Sequence, residues 1–120
     1  MNKREYQIKK KELMSKIKKH NGINCVKYWK LTKREHFITI AEIVYFLCNN
    51  GYTCYTEVEF SKGRADIFAI SPEAEGIVIE VLHTETEHKF SAKLNKYPFR
   101  IIKIETKNFV VGKLKIDTFK

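Results

Sequence analysis

The chain has 120 residues, of which 43% are apolar and 31% charged, with five Gly and two Pro; this is enough for one domain with one modest core, and it excludes disordered and collagen-like chains. The formal net charge of +9 is uneven. Residues 1–34 carry twelve Lys/Arg and two Glu, whereas residues 35–120 carry eleven Lys/Arg and twelve Asp/Glu, so the excess lies wholly in the first quarter. The expectation is a single domain over 1–120, with a basic N-terminal extension over 1–34 and an α/β core over 35–120.

In chain order, Tyr6, Ile8, Leu13, Met14 and Ile17 form an apolar stripe among lysines, which predicts a helix over Lys3–Lys19. The HNGIN segment, His20 to Asn24, breaks it. Cys25–Leu31 alternates loosely and reads either as a strand or as part of a helical turn. Thr32, with Glu35 three residues on, makes a capping box for a helix running to Asn50, with Phe37, Ile40, Ala41, Ile43, Val44, Phe46 and Leu47 as its stripe and Gly51 as its stop. Strands follow at Thr53–Phe60, Arg64–Ile70 and Ile77–Leu82, separated by the turn SKG and the loop SPEAEG. A short helix fits Glu85–Lys96, ended by Pro98. Phe99–Thr106 reads as a fourth strand, and Asn108–Phe119 as a further strand or hairpin. Helix, three strands, helix and strand in that order predict an α/β layer arrangement, a central mixed β-sheet flanked by helices.

No apolar run approaches the twenty or so residues needed to span a bilayer, and the N-terminus lacks the apolar core of a signal peptide, which sets the expectation of a cytoplasmic protein without membrane contact. Cys25, Cys48 and Cys54 are odd in number and lack C-x-x-C spacing, so they read as reduced core thiols. A basic arm on a neutral body is the footprint of a nucleic-acid binder; its alternative is a solvated Lys-rich helix. Lys9, Lys10 and Lys11 are the phosphate contacts expected of the arm. Trp29, among Lys27, Tyr28 and Lys30, suits stacking on bases, or else anchors a core.

The central puzzle is the pair of acids, Asp66 and Glu80, inside runs that otherwise read as buried strands. Glu57 and Glu59 share one face of the first strand under regular alternation, and the SKG hairpin brings one of them toward Asp66; Glu59, nearer the turn, is the preferred partner. If the third strand lies beside the second, Glu80 joins them. Carboxylates that converge repel one another unless a cation intervenes. Mg²⁺ takes hard oxygen ligands, so one or two carboxylates suffice. Such an ion polarises a phosphoryl oxygen and supplies hydroxide, the chemistry of phosphodiester hydrolysis.

With those residues in view, the segment from Phe37 to Lys96 resembles the PD-(D/E)XK nuclease superfamily, which includes restriction endonucleases and archaeal Holliday junction resolvases. The carriers are the helix ending in NNGY, then TEVEF, GRADIFAI and GIVIEV. The resemblance implies a restriction endonuclease-like fold, a metal-dependent DNA endonuclease activity, Asp66 and Glu80 as ligands of Mg²⁺ or Mn²⁺, and Glu59 as their helper. It also implies DNA as partner, with Arg64 on a phosphate and a homodimer where both strands are cut. The chain departs from the pattern where the family has a lysine two residues after the glutamate, since Leu82 stands there. His83 or His88 at the strand end, or Lys89, Lys93 and Lys96 on the next helix, are the available replacements, with Lys93 foremost. The contrary reading is a DNA-binding protein or accessory subunit whose site has lost its chemistry.

Overall fold

The computed structural model describes residues 1–26, 33–82 and 97–120. Helices α1 (Lys3–Met14) and α2 (Arg34–Asn49) precede strands β1 (Thr53–Phe60), β2 (Gly63–Ile70), β3 (Gly76–Leu82) and β4 (Arg100–Glu105). The sheet order is β1-β2-β3-β4. The first three strands form an antiparallel meander, and β4 runs parallel to β3. A parallel neighbour requires a crossover connection. Here the intervening chain includes residues 83–96, so the helix expected at Glu85–Lys96, with His83, His88, Lys89, Lys93 and Lys96, lies outside the described residues; so does Trp29.

Each face of the sheet is covered. On one, the α2 stripe of Ile40, Ile43, Val44 and Leu47 meets Cys54, Ile67, Ala69, Ile79, Val81 and Ile104, and Phe119 completes the cluster. On the other, Tyr55, Val58, Phe60, Phe68, Ile70, Val78 and Tyr97 form a second cluster, against which Tyr6, Leu13, Met14 and Ile17 pack. The helix stripes read from the sequence are therefore the ones used, except that Ile8 is 60% exposed. α1 buries no residue fully, as its lysine content dictates: it lays a partial apolar edge on the sheet and turns its cations to solvent.

The start and the finish depart from expectation. α1 ends at Met14 rather than Lys19, and the chain after it runs along the outer edge of β1. Lys18 N donates to Glu59 O at 2.8 Å, Glu59 N to Lys19 O at 2.7 Å, and Asn24 N to Cys54 O at 2.7 Å. Asn24 Oδ1 also accepts from Cys54 N, and Asn24 itself has φ 55, a conformation asparagine tolerates. This segment satisfies main-chain groups that would otherwise make β1 an adhesive edge. α2 has Lys33 at its N-cap position with no side-chain cap hydrogen bond, and Thr32 of the expected capping box lies outside the described residues. It stops as expected, with Gly51 at φ 83 and Tyr52 N donating back to Leu47 O. Residues 106–119 hold two 3₁₀ turns, Thr106–Asn108 and Ile116–Phe119, instead of a strand or hairpin.

Of the three free thiols only Cys54 is in the core; Cys48 is half-buried and Cys25 exposed, which corrects the expectation of three core thiols. Burial, reinforced by neighbouring Cys48, pushes the Cys54 thiol well up. In a timed reaction with a thiol-reactive dye, Cys25 should label first and Cys54 only on unfolding. Labelling of Cys54 in the native protein at the rate of Cys25 would contradict this packing.

Candidate functional site

Regular alternation places residues two apart on one face. On β1, however, Tyr55 and Val58, three apart, lie in the same cluster, and on β2 so do Ala65 and Phe68. Both strands slip by one residue at facing positions, because Glu57 adopts φ 51 and the ladder runs from Thr56↔Ile67 to Val58↔Ala65 without pairing Glu57 to Asp66. The slip is the local reason that Asp66 leaves the regular pattern. A non-glycine residue in the left-handed region is uncommon and clusters at functional sites.

The β2–β3 ladder also ends here. Its last pair is Ile67 with Ile79, and Asp66 and Glu80 are the next residues outward on the two strands. Where the strands part, the Asp66 side chain replaces a main-chain acceptor: Val81 N donates to Asp66 Oδ2 at 2.8 Å. His36, on the first turns of α2 and one helical turn before Ile40, brings Nε2 to 3.6 Å from the same oxygen. Glu80 is only 2% exposed. Its Oε1 lies 3.0 Å from Tyr97 Oη, and Arg64 O lies 2.7 Å from the same hydroxyl, whose single proton the two acceptors share. Arg64 Nη2 reaches Glu57 Oε2 at 2.9 Å.

The acids predicted from sequence are thus neighbours across one seam, although their partners come from opposite layers: His36 from the α2 side for Asp66, and Tyr97 from the α1-side cluster for Glu80. Glu59, the expected helper, is not brought to Asp66. It is exposed at the far end of β1, paired with Arg64, and its main chain is taken up by Lys18 and Lys19. The hairpin register is the cause: with Phe60 paired to Gly63 and Glu59 to Arg64, Glu57, and not Glu59, is the carboxylate across from Asp66. Leu82 is buried at 4% exposure, as a core residue would be. Lys9 and Lys11 are exposed and Lys10 is half-buried on α1, remote in sequence from the seam.

From the sequence His36 reads as a surface residue at a helix start, with a functional role as the alternative. Its signal was its place one turn before the buried stripe, which aims it at the sheet. Its pairing with Asp66 raises its pKa above the ordinary 6.5, burial opposes this, and the Val81 backbone and the charge of Glu57 add to the rise. A histidine whose folded pKa is raised contributes stability that is complete below the unfolded value and lost as pH climbs through the folded one. His36→Gln should therefore cost more stability at pH 5.5 than at pH 9, read by urea denaturation in chelator. A penalty equal or larger at pH 9 would remove the pair from the account.

Asp66 and Glu80 each carry hard oxygen atoms, the ligand type that Mg²⁺ and Mn²⁺ take, but their side chains are met from opposite layers. Among the described residues no three His, Cys, Asp or Glu side chains converge to hold an ion by themselves. None of the helices is long and apolar enough to cross a membrane among the described residues. Comparison with protein-family models, with characterised proteins and with solved structures finds no match.

Proposed function

We propose that this chain is a metal-dependent DNA endonuclease on a restriction endonuclease-like fold, acting in the cytoplasm. The observation that carries the reading is the position of Asp66: a carboxylate inserted at the point where β2 and β3 separate, next to a buried glutamate on the adjacent strand. The order of elements supports it, since a helix, then an antiparallel hairpin, then a third strand is the order that the resemblance calls for.

Asp66 and Glu80 would hold Mg²⁺ or Mn²⁺, which when bound supplies a Lewis acid and an activated water for phosphodiester hydrolysis. The chain's own residues prepare that site. Val81 N–H and His36 fix the Asp66 carboxylate, and Tyr97 orients Glu80. Arg64, with its side chain 61% exposed, is available to a phosphate on the strand being cut. Lys93 is assigned the charge-stabilising part that Leu82 cannot play. Cutting both strands of a duplex would call for two copies of the chain.

A second reading, DNA binding without cleavage, is favoured by one specific observation: the two carboxylates draw their partners from opposite layers, and the lysine position holds a buried leucine. Incubation with plasmid, single-stranded and four-way junction DNA, with Mg²⁺, with Mn²⁺ and with chelator, separates the two. The endonuclease reading expects nicking or cutting of at least one substrate that chelator abolishes. Binding without cleavage on all three substrates overturns it in favour of the second.

A further inference from the structure

Besides the carboxylate seam, the described residues carry a groove of about 460 Å³ between the C-terminal end of α1 and the β1–β2 turn. Its floor is apolar, made by Ile17, Phe60 and Pro98, and its walls carry Lys16, Lys18 and the Ser61 hydroxyl; no acidic side chain is among its described lining residues. Neither lysine is ion-paired among the described residues, and both are exposed. Each is nonetheless positioned. Lys16 Nζ lies 5.7 Å from the centre of the Phe99 ring, a cation–π distance. The Lys18 main chain is tied to β1 through Glu59 O. One ammonium held over a ring and one carried on backbone tied to β1 need less ordering on contact with an anion than lysines on a free arm.

The groove also leads somewhere. Pro98 on its floor follows Tyr97, whose hydroxyl holds Glu80. Phe60 on the same floor stacks edge-on against the Tyr97 ring at 5.1 Å, and the turn that bears Ser61 continues into Arg64. At its other end the groove meets the last turn of α1, whose exposed face carries Lys9 and Lys11.

From this we infer that the groove is a track for the sugar–phosphate backbone of DNA, gripped by Lys16 and Lys18 and directed from the basic helix toward Glu80. Positive charge without an opposing carboxylate selects a polyanion, and the apolar floor suits deoxyribose. The inference rests on the nucleic-acid part of the function proposed above and not on hydrolysis, so a chain that binds but never cuts leaves it standing.

The test is equilibrium binding of a fluorescent DNA duplex in chelator, across a series of salt concentrations. Lys16→Ala with Lys18→Ala is compared with Lys113→Ala with Lys115→Ala, which removes the same charge from an exposed segment joined to the α2-side cluster. The groove pair should weaken binding about tenfold or more near 0.1 M salt and lower the slope of log K against log salt by about two, since each phosphate contact contributes about 0.9. The remote pair should change affinity less than about twofold. Lys16→Arg with Lys18→Arg should keep the slope, which shows that charge at these positions is what counts and guards against a fold defect in the alanine variant. Equal losses for the two alanine pairs, an unchanged slope for the groove pair, or preference for duplex RNA of the same sequence would each overturn the assignment.

Discussion

Asp66→Asn and Glu80→Gln should each lower cation-dependent DNA cleavage at least about a hundredfold while leaving the protein folded. The size follows from what a metal ion contributes to phosphoryl chemistry, several kcal/mol of transition-state stabilisation, where each 1.36 kcal/mol is worth about tenfold in rate. The amides are chosen over alanine for a structural reason. Asparagine at 66 can still accept the Val81 N–H, and glutamine at 80 can still accept from Tyr97 Oη, so both variants keep the hydrogen bonds that hold these side chains. What each loses is the negative charge. For Asp66 the structural cost is that of a partly exposed pair with His36, below about 1 kcal/mol, so melting should move little. Steady-state cleavage and a thermal melt on the same preparations check both halves. Cleavage that persists in both variants would dismiss the seam as the site of chemistry. A wild-type protein that binds DNA without cutting it would move the function to the second reading while leaving the groove argument intact.

The largest stability effect is expected at the far end of the chain. Phe119→Ala should cost about 3–5 kcal/mol, the range for deleting a buried aromatic ring and leaving part of its volume empty. Phe119 is 2% exposed, belongs to the cluster between α2 and the sheet, and lies 6.0 Å from Phe46 of α2, ring centre to ring centre. It comes from a 3₁₀ turn in which Ile116, with Leu114 just before it, packs against the same cluster, but Phe119 is the segment's only fully buried side chain among the described residues. Chemical denaturation should show a lower midpoint with a slope close to that of the parent protein. A loss under about 1 kcal/mol would mean that the C-terminal turn contributes little to the core.

Local chemistry made much of this fold legible. The runs of β-branched and aromatic residues between Thr53 and Leu82 became strands with bounds shifted by no more than a residue, because each is a short apolar run closed by a turn-forming segment. The α2 stripe was legible because its period admits only one buried face. The last segment was misread for the complementary reason. Asn108–Phe119 has apolar residues at strand-like spacing, but no strand pairs with it, and Phe119 is held by a pocket assembled from elements distant in sequence. The start of the chain was half-read: the stripe and the charge were visible, but the early end of α1 depended on the β1 edge that captures residues 18–24.

The same division runs through the site. By itself the sequence determined that Asp66 and Glu80 would each stand on a strand and that the positive charge would gather at one end of the chain; that the two strands are neighbours came from the sheet order. Only the tertiary structure decided which groups meet them. Strand alternation assumes regular backbone, and one left-handed residue, Glu57, breaks it on β1 while β2 follows at Asp66. The β1–β2 hairpin register sets Glu57 instead of Glu59 across from Asp66, and it is the packing of α2, not any spacing in the chain, that delivers His36 to Asp66. Composition and periodicity act through neighbours in sequence and so can be read from it; the side-chain partners at the seam are chosen by contacts between layers, which exist only once the layers have packed.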